Sequence, residues 1–249
     1  MKRVIPALIL PFGLLAAWQH ASAVGLLSPA YFPAPLRTFE ALYDSIVAGS
    51  LWGPFAATAL RMFEGWFVAS LLGVFLGALV GSSRAAREFL QPSLEFLRPF
   101  PASAVIPAAI LIFGLSNLMA VWVIAFGSVW PVLLGTLHGF SAIEPRLKEV
   151  SLALEMPPSA YLRKIALPNA LPDIFTGVRI SLAIALILAV VVEMQSAQPG
   201  LGQNILLAQR MYRSPELYAG IVVLGLFGFV ASWVLDQAER RLLVWKSKR

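Results

Sequence analysis

The sequence predicts an all-α membrane protein with about six transmembrane helices and both termini in the cytoplasm. Of its 249 residues, 59% are hydrophobic and only 13% are charged, whereas a typical soluble domain has about 25% charged residues. The apolar residues form long charge-free runs rather than the stripes of amphipathic helices, which indicates that lipid is the solvent. The basic residues fall mainly in segments that this topology places on one side of the membrane.

Charge-free runs locate the predicted spans. About 20 apolar residues cross a hydrocarbon core about 30 Å thick, at 1.5 Å per residue. The run Pro99–Ile143 is long enough for two helices with a turn near Ser116 and Asn117. The run between Arg179 and Glu193 is short, but its surroundings are dense in Leu, Ile, Val and Ala. The six predicted spans are Val4–Val24, Gly65–Ser83, two helices within Pro99–Ile143, Leu171–Met194 and Leu217–Leu235.

The positive-inside rule orients these spans. With the N-terminus inside, most of the 19 Lys and Arg residues lie in the N-terminus, Ser82–Arg98, Ser141–Pro172 and the C-terminal tail. Lys2-Arg3, an apolar run and Ala21-Ser22-Ala23 also fit a cleavable secretory signal. Cleavage would leave the later helices in the same orientation, because residue 25 reaches the outer side in either case.

The predicted outer loop covers residues 25–53. Three prolines precede an amphipathic stretch from about Arg37 to Val47. We expect a short helix that lies on the outer membrane face and packs as a connector. Its apolar residues recur at helical spacing and are Leu36, Phe39, Leu42, Tyr43 and Ile46.

Composition excludes several kinds of chemistry. The chain has no cysteine and only two histidines, His20 and His138, so we predict no metal site and no cofactor. It has no phosphate-binding glycine-rich loop with its lysine and no nucleophile–base set. The chain is therefore predicted not to be an enzyme. The net charge of +6 follows the pattern of membrane orientation, so we expect no nucleic-acid partner.

Glycine spacing predicts close helix packing in the second span. Gly73, Gly77 and Gly81 stand four residues apart on one helix face. Such rows let helix backbones approach closely in lipid, either within a subunit or across a dimer.

Prolines and one charge mark a candidate translocation path. Pro99, Pro101 and Pro107 make a regular helix unfavourable at the start of the third span. Irregular backbone at membrane depth requires cover from protein or a water-filled cavity, so both cavity lining and buried packing fit. Glu193 lies near the outer end of the fifth span, where an intramembrane charge is a functional candidate although a structural role also fits.

The loop Ser141–Pro172 is the one long basic loop. Glu149–Met156 has helical composition and ends at Pro157-Pro158, after which a second short helix is predicted from Ser159 to Ala166, stopping before Pro168. This layout predicts a compact knob on the cytoplasmic side. A solvated connector also fits, but docking to a cytoplasmic protein accounts better for a basic end beside an apolar face. The residues concerned are Arg163 and Lys164 for the basic end, and Ala160, Ile165 and Leu167 for the apolar face.

The spacing within this loop resembles that of a known family. Glu149-Val150-Ser151, Glu155 and Ile165-Ala166-Leu167-Pro168 follow the pattern EAA-x3-G-x9-I-x-L-P. This pattern is the EAA loop of permease subunits of binding-protein-dependent ABC importers. Glu155 replaces the motif glycine, so we expect Pro157-Pro158 to make the break between the helices.

Further segments resemble the sulfonate, taurine and nitrate branch of these permeases. The resemblance implies a type I ABC importer permease fold, with residues 1–249 as one transmembrane domain and 141–172 as the coupling loop. It also implies a multi-pass protein of the bacterial inner membrane, a permease homodimer, separate cytoplasmic ATPase subunits and a soluble or lipid-anchored substrate-binding protein. The solute would be small and anionic. The matching segments are Leu97–Pro101, Ile112–Gly114, Glu144–Arg146, Gly177–Ser181, Glu193-Met194 and Gly200–Gly202.

Carried over by position, the resemblance gives a set of residues that couple the chain to the ATPase. They are Glu149, Glu155, Ser159, Tyr161, Arg163, Lys164, Ile165, Leu167 and Pro168. Two alternatives remain open at this point: a gradient-driven carrier or channel that acts alone, and a membrane scaffold or sensor. Six spans without an evident internal repeat or charge relay make a lone carrier less favourable.

Overall fold

The computed structural model describes residues 4–243, and in this range the chain is built of helices. We number them α1 to α11. Their bounds are α1 Val4–Ala23, α2 Pro35–Val47, α3 Trp52–Ser82, α4 Arg84–Leu97, α5 Ala102–Phe113, α6 Asn117–Ser141, α7 Pro145–Ala153, α8 Pro158–Tyr161, α9 Leu167–Ser196, α10 Leu201–Arg210 and α11 Ser214–Leu242, with a π-helical turn at Leu162–Ala166 between α8 and α9.

Local sequence explains where several helices begin. The Ser83 and Ser116 hydroxyls cap α4 and α6 by accepting hydrogen bonds from the backbone amides of Ala86 and Met119. A proline is the first residue of α2, α7 and α8, where a backbone N–H would have no acceptor within the helix. Because α5 ends at Phe113 and α6 begins at Asn117, the predicted turn near Ser116 is confirmed.

Four segments in the described part of the chain are long and apolar enough to cross a membrane. These are Trp52–Ser82, Asn117–Ser141, Pro158–Ser196 and Ser214–Leu242. The third predicted span differs from the expectation of a single crossing helix. Its helix α5 has only 12 residues, and it is bent by 92° from α4. The bend follows from Pro99 and Pro101, which lie between the end of α4 and the start of α5 and prevent a continuous helix there. Counting this bent pair as one broken span gives up to five candidate spans among the described residues.

The chain forms two compact units. One unit combines the described residues up to Thr58 with Ala197–Phe227. Here the α1 side chain Gln19 accepts a hydrogen bond from the backbone amide of Leu36. The hydroxyl of Thr58 accepts one from the backbone amide of Leu201 at 2.9 Å. These contacts hold α2 and the α10 segment within this unit.

The second unit contains Ala59–Ser196 and the described residues from Gly228 onward. Its centre is the pair α6 and α9, which pack so closely that a Cβ on Gly135 would lie 2.5 Å from the carbonyl oxygen of Asp173. The Ser181 hydroxyl of α9 donates to the carbonyl oxygen of Ser128 in α6 at 2.7 Å. Small residues thus let the backbones of two long apolar helices approach closely, and the buried Ser181 hydroxyl adds a hydrogen bond between them.

Helix α3 packs against α6 through the predicted glycine row. A Cβ at Gly73 would lie 2.7 Å from the Cβ of Val132, and one at Gly77 would lie 2.6 Å from the carbonyl oxygen of Leu133. Of the two possibilities left open by the spacing, the row therefore serves packing within the subunit.

Candidate functional site

The loop between α6 and α9 ends its first helix in a sharp, hydrogen-bonded turn. Glu155 adopts a left-handed backbone with φ of 49°. Its amide donates to the Leu152 carbonyl, and the amide of Met156 donates to the Ser151 carbonyl, both at 3.0 Å. This pair of bonds is a Schellman motif, the arrangement that most often carries glycine at the left-handed position.

Glu155 therefore adopts the backbone conformation that the motif glycine favours. The expectation that Pro157-Pro158 would make the break in its place needs correction. The reversal occurs at Glu155 itself, while Pro157 is extended and Pro158 begins α8. A left-handed non-glycine residue costs about 1–2 kcal/mol, so Glu155 occupies this turn at the expense of stability.

The second helix of the loop continues into the long helix α9, so the prediction that it stops before Pro168 is wrong. A π-helical turn at Leu162–Ala166 comes first, and the amide of Leu167 donates to the carbonyl of Leu162, five residues back. A proline normally clashes with the carbonyl four residues earlier. The wider turn relieves this clash, because its hydrogen bonds reach one residue further.

The predicted coupling residues divide into an exposed group and a packed group. Tyr161 packs beside a buried cluster that includes Phe140, Ala166 and Ile174, which gives it a structural contact. The exposed predicted residues are Glu149, Glu155, Ser159, Arg163, Lys164 and Leu167, and the half-buried ones are Tyr161, Ile165 and Pro168.

The loop also exposes leucines that the sequence reasoning missed. Leu152 and Leu154 precede Glu155 in this turn and have 70% and 68% of their surface accessible, and Leu162 is also exposed. The signal was present in the sequence, because apolar residues beside a polar turn have no core to enter. Together Leu152, Leu154 and Leu162 form what we name the apolar knob.

A groove of about 720 Å³ opens along α5, α6 and α9. Its wall on α6 includes Trp130, Leu134 and His138, which are spaced four residues apart on one helix face. Its opposite wall on α9 extends from Asp173 to Leu188. Arg98 enters it from the segment that precedes α5. The groove is thus largely apolar, with polar side chains added at few positions.

The four residues predicted for the translocation path are not brought together. Pro99 and Pro101 are exposed and flank groove-lining Phe100, and Pro107 is an exposed residue of α5. Glu193 is completely buried, and none of the four is among the described residues that line the groove. The groove was missed because its polar residues are far apart in sequence.

Glu193 instead lies in a polar cluster with residues of α3 and α6, in which Glu193 is buried and Asn117 is exposed. Its carboxylate accepts a hydrogen bond from the guanidinium of Arg61 at 2.7 Å. Asn117 links two α3 side chains, because its amide oxygen accepts from Arg61 and its amide nitrogen donates to Glu64. Such a cluster stabilises a buried charge by pairing and hydrogen bonding.

A second ion-pair cluster joins α9 to α11. The guanidinium of Arg179 donates to Asp236 at 3.0 Å and also to Glu239. Arg240 pairs with the other carboxylate oxygen of Asp236 at 2.8 Å.

Among the residues the structure describes, no three His, Asp or Glu side chains converge as a metal-ligand set.

Comparison with known proteins identifies similar sequences over nearly the whole chain. The family model of the binding-protein-dependent transport system inner membrane component matches residues 69–244. The putative aliphatic sulfonates transport permease protein SsuC of Bacillus subtilis is 32% identical, covering 96% of this chain and 87% of that protein. The taurine transport system permease protein TauC of Escherichia coli is 29% identical, covering 93% and 86%. The bicarbonate transport system permease protein CmpB of Synechococcus elongatus is also 29% identical, covering 97% and 92%.

Solved structures share the fold. A chain of the MetNI methionine ABC transporter in an inward-facing conformation superposes with a TM-score of 0.68 at 21% identity, covering 77% of this chain and 95% of that one. A chain from an amino acid ABC transporter gives a TM-score of 0.59 at 16% identity, covering 77% and 91%. At these identities the likeness concerns the fold alone.

Proposed function

Because the chain belongs to the family of binding-protein-dependent transport system inner membrane components, we propose that it forms the membrane path of an importer driven by a separate ATPase. The chain is an inner-membrane transport permease. Our proposal concerns its coupling, its topology, its partners and its solute.

The coupling loop 141–172 docks to the ATPase through the apolar knob and the basic residues beside it. Leu152 and Leu154 are exposed within a turn, residues 151–156, whose backbone is fixed by two hydrogen bonds. Arg163 and Lys164 are exposed on the next helix. An apolar centre with a charged rim is the usual composition of a protein–protein interface. This exposed and fixed apolar knob is the observation that carries the coupling proposal.

The coupling residues then have separate roles. Glu149 and Ser159 are exposed and contact the ATPase directly. Glu155 provides the turn, and Tyr161 anchors the loop to the buried cluster beneath it. The remaining members, Ile165, Leu167 and Pro168, join the loop to α9.

The chain crosses the membrane six times with both termini in the cytoplasm. Five crossings use α3, the broken pair α4–α5, α6, the segment α8–α9, and α11, and the sixth uses the 20-residue helix α1. The basic residues Arg87 and Arg163 then lie on the cytoplasmic side of the membrane. The basic residues Lys2, Arg3, Lys246, Lys248 and Arg249, which support the same orientation, lie outside the described residues.

The outer loop 25–53 rests on the outer membrane face. Its helix α2 exposes Leu36, Phe39, Tyr43 and Ile46 along one side. An exposed apolar stripe on a short amphipathic helix is suited to the interface between lipid headgroups and acyl chains. This placement is favoured over the packed connector, because a connector would bury these side chains.

Two copies of the chain form the permease, and each contributes a groove to the path. Pro99 and Pro101 shape the wall of this groove by breaking the chain before α5, and Pro107 lies within α5, where it removes one backbone hydrogen-bond donor. Glu193 supports the path from its buried ion pair rather than by contact with the solute. A soluble or lipid-anchored binding protein delivers the solute to the outer face.

The solute is small and carries an anionic group. The similar permeases named above are described for aliphatic sulfonates, taurine and bicarbonate, and this shared chemistry supports an anion here. The guanidinium of Arg98 in the groove supplies a suitable contact.

Co-purification tests the docking proposal. The double substitution Arg163→Glu/Lys164→Glu should strongly reduce recovery of the ATPase with the tagged chain, while membrane insertion is unchanged. Arg37→Glu is the control, since Arg37 is exposed on the outer-loop helix α2. Equal recovery of the ATPase with the wild type, the double variant and the control would overturn the docking role.

In the assembled complex, Glu149→Ala should leave ATP hydrolysis running without solute uptake.

A further inference from the structure

Helix α4 separates its exposed side chains by their chemistry. Phe89 and Phe96 stand about two helical turns apart on one face, and 80% and 70% of their surface is accessible. On a different face, the side chain of Gln91 donates to that of Glu95 at 2.7 Å, and both residues are exposed. The helix therefore has one aromatic and one polar exposed face.

A third side attaches α4 to the rest of the chain. Ala86, Leu90 and Leu94 are spaced four residues apart and are half-buried. A row with this spacing lies along one face of a helix, and this face differs from the aromatic and the polar ones. Phe89 and Phe96 thus remain largely uncovered by residues 4–243.

The aromatic face continues past the end of the helix. Phe100 packs edge to face against Phe96, with ring centroids 5.7 Å apart, and 48% of its surface is accessible. Phe100 also lines the groove described above. We name Phe89, Phe96 and Phe100 the aromatic stripe, which leads along α4 to the groove.

Hydrogen bonds hold the first turn of α4 at one end of two long apolar helices. The guanidinium of Arg87 donates to the carbonyl oxygen of Gly81 at 2.9 Å and to the hydroxyl of Ser141 at 2.6 Å. Gly81 and Ser141 belong to the last turns of α3 and α6. In the proposed topology both of these turns lie on the cytoplasmic side.

The exposed face of α3 indicates the depth at which α4 begins. Phe67, Leu71, Phe75 and Leu79 are spaced four residues apart and are all exposed. An exposed apolar row on a helix long enough to span the membrane is suited to face lipid. The row ends at Leu79, about one turn before the cap Ser83. Helix α4 therefore begins where the lipid-facing surface of α3 ends.

Helix α4 does not follow the direction of the helix that comes after it. Ile106 of α5 clusters with Met119 and Val123 in the first half of α6, so α5 runs beside a spanning helix. Helix α4 is bent by 92° from α5. Its charged residues Glu88 and Glu95 also oppose burial in hydrocarbon. These features are those of a helix at the membrane surface.

We propose that α4 is an interfacial helix whose aromatic stripe inserts among the acyl chains of the inner leaflet, with its polar face toward the cytoplasm. A short amphipathic helix binds a lipid surface through the apolar area that it buries there. Within the pair α4–α5, α4 then lies at the inner surface while α5 enters the hydrocarbon. The lipid thereby holds the segment Arg98–Pro101, from which Arg98 and Phe100 line the groove. This inference rests on the orientation given in the proposed function.

The position of α4 favours lipid over a soluble partner for the aromatic stripe. Because α4 begins where the exposed apolar row of α3 ends, the nearest apolar medium for the stripe is the bilayer. A cytoplasmic protein approaches from the aqueous side, which the polar face with Gln91 and Glu95 is suited to meet. The ATPase has its own proposed contact in the apolar knob.

Spin labelling of the full-length chain tests this inference, and the chain contains no cysteine that would interfere. The single variants Phe89→Cys, Phe96→Cys, Gln91→Cys and Glu95→Cys carry a nitroxide label. They are reconstituted into bilayers made of equal parts of phosphatidylethanolamine and phosphatidylglycerol. Collisions of the label with oxygen, which concentrates in lipid, are compared with collisions with a nickel chelate, which stays in water.

Two reference variants calibrate the measurement. Phe75→Cys lies in the exposed apolar row of α3 and reports lipid, and Leu152→Cys lies in the coupling loop and reports water. Thermal unfolding shows that each labelled variant is folded, and Phe100→Cys takes the place of a stripe variant that is not.

We expect the labels at Phe89 and Phe96 to collide severalfold more often with oxygen than with the chelate, as in Phe75→Cys. The labels at Gln91 and Glu95 should show the reverse, as in Leu152→Cys. More collisions with the chelate at Phe89 and Phe96 would place the stripe in water and overturn the inference. Shielding of these two labels from both reagents, in the chain alone or only with the ATPase bound, would indicate a protein contact and would also overturn it.

Failure of this inference is distinct from failure of the proposed function. Stripe labels that lie in water, in a complex that still imports its solute with ATP, would overturn the interfacial helix and leave the transport function standing. Loss of ATP-driven uptake in the unlabelled wild-type complex would instead contradict the proposed function. Labels in lipid at Phe89 and Phe96 would support the interfacial helix in that case as well.

Discussion

The Glu193 carboxylate accepts a 2.7 Å hydrogen bond from the Arg61 guanidinium, with 0% of the Glu193 side chain and 11% of the Arg61 side chain exposed. The pair joins α9 to α3 across 132 positions of sequence. A buried ion pair contributes little over an apolar pair of similar volume, but removal of one partner leaves an uncompensated charge. Arg61 and Glu193 should therefore be interdependent.

Removing Glu193 alone should destabilise the protein by about 3–5 kcal/mol, because Arg61 would remain buried without its carboxylate partner. We expect Glu193→Leu to lower the midpoint of thermal unfolding in detergent, and Arg61→Leu/Glu193→Leu to recover much of the loss. Glu40→Leu is the control, since the pair Arg37–Glu40 is exposed and should contribute less than about 1 kcal/mol. A double variant as unstable as Glu193→Leu would refute this interdependence.

The contact of Gly77 with α6 should not tolerate a methyl group. A Cβ there would lie 2.6 Å from the carbonyl oxygen of Leu133, so Gly77→Ala should separate α3 from α6 at a cost of about 1–3 kcal/mol. Gly225→Ala in α11 is a matched control, because nothing lies within 4 Å of its Cβ position. Equal unfolding midpoints for the two variants would contradict the packing.

The left-handed turn at Glu155 should accept glycine. Glu155→Gly should stabilise the coupling loop by up to about 1 kcal/mol, because it removes the steric cost of a side chain at φ of 49°. Glu155→Ala keeps that steric cost and removes only the carboxylate, so it separates the effect of backbone strain from the effect of the charge. Hydrogen exchange of the amide of Met156, which closes the turn, measures the outcome. Faster exchange in Glu155→Gly than in Glu155→Ala would contradict the assignment.

The proposed topology should be visible by single-cysteine labelling, since the chain contains no cysteine of its own. A membrane-impermeant maleimide added to spheroplasts should label Leu26→Cys, which lies in the outer loop. It should reach Leu152→Cys, in the coupling loop, only after the membrane is opened. Both positions are exposed, so a difference in labelling reports the side of the membrane. The reverse pattern would invert the topology.

Local sequence signals predicted much of the helical framework. The uncharged run Pro99–Ile143 predicted two helices with a turn near Ser116 and Asn117, and the glycine row on α3 predicted a close helix contact. These features depend on residues within a few positions of each other, so they can be read from the chain. The EAA spacing led in the same way to the loop 141–172, for which we propose the coupling role.

Other features depend on contacts between distant residues. The partner of Glu193 lies 132 positions away, and the groove combines Arg98, His138 and Asp173 from three separate segments. The course of the chain through Pro168 depends on a π-helical turn that composition does not reveal. The left-handed backbone of Glu155 goes against a preference of its residue type of about 1–2 kcal/mol, and the hydrogen bonds that close its turn join backbone groups at most five positions apart.

The central claim is that solute crosses this permease only when a separate ATPase acts on the coupling loop. Uptake of radiolabelled solute into proteoliposomes tests it most directly, with the permease, its ATPase and its binding protein, and with ATP enclosed. We predict uptake that needs both ATP and the ATPase and that is lost in Arg163→Glu/Lys164→Glu but kept in Arg37→Glu. Uptake by the permease alone, driven by an ion gradient, would contradict the account and indicate an independent carrier.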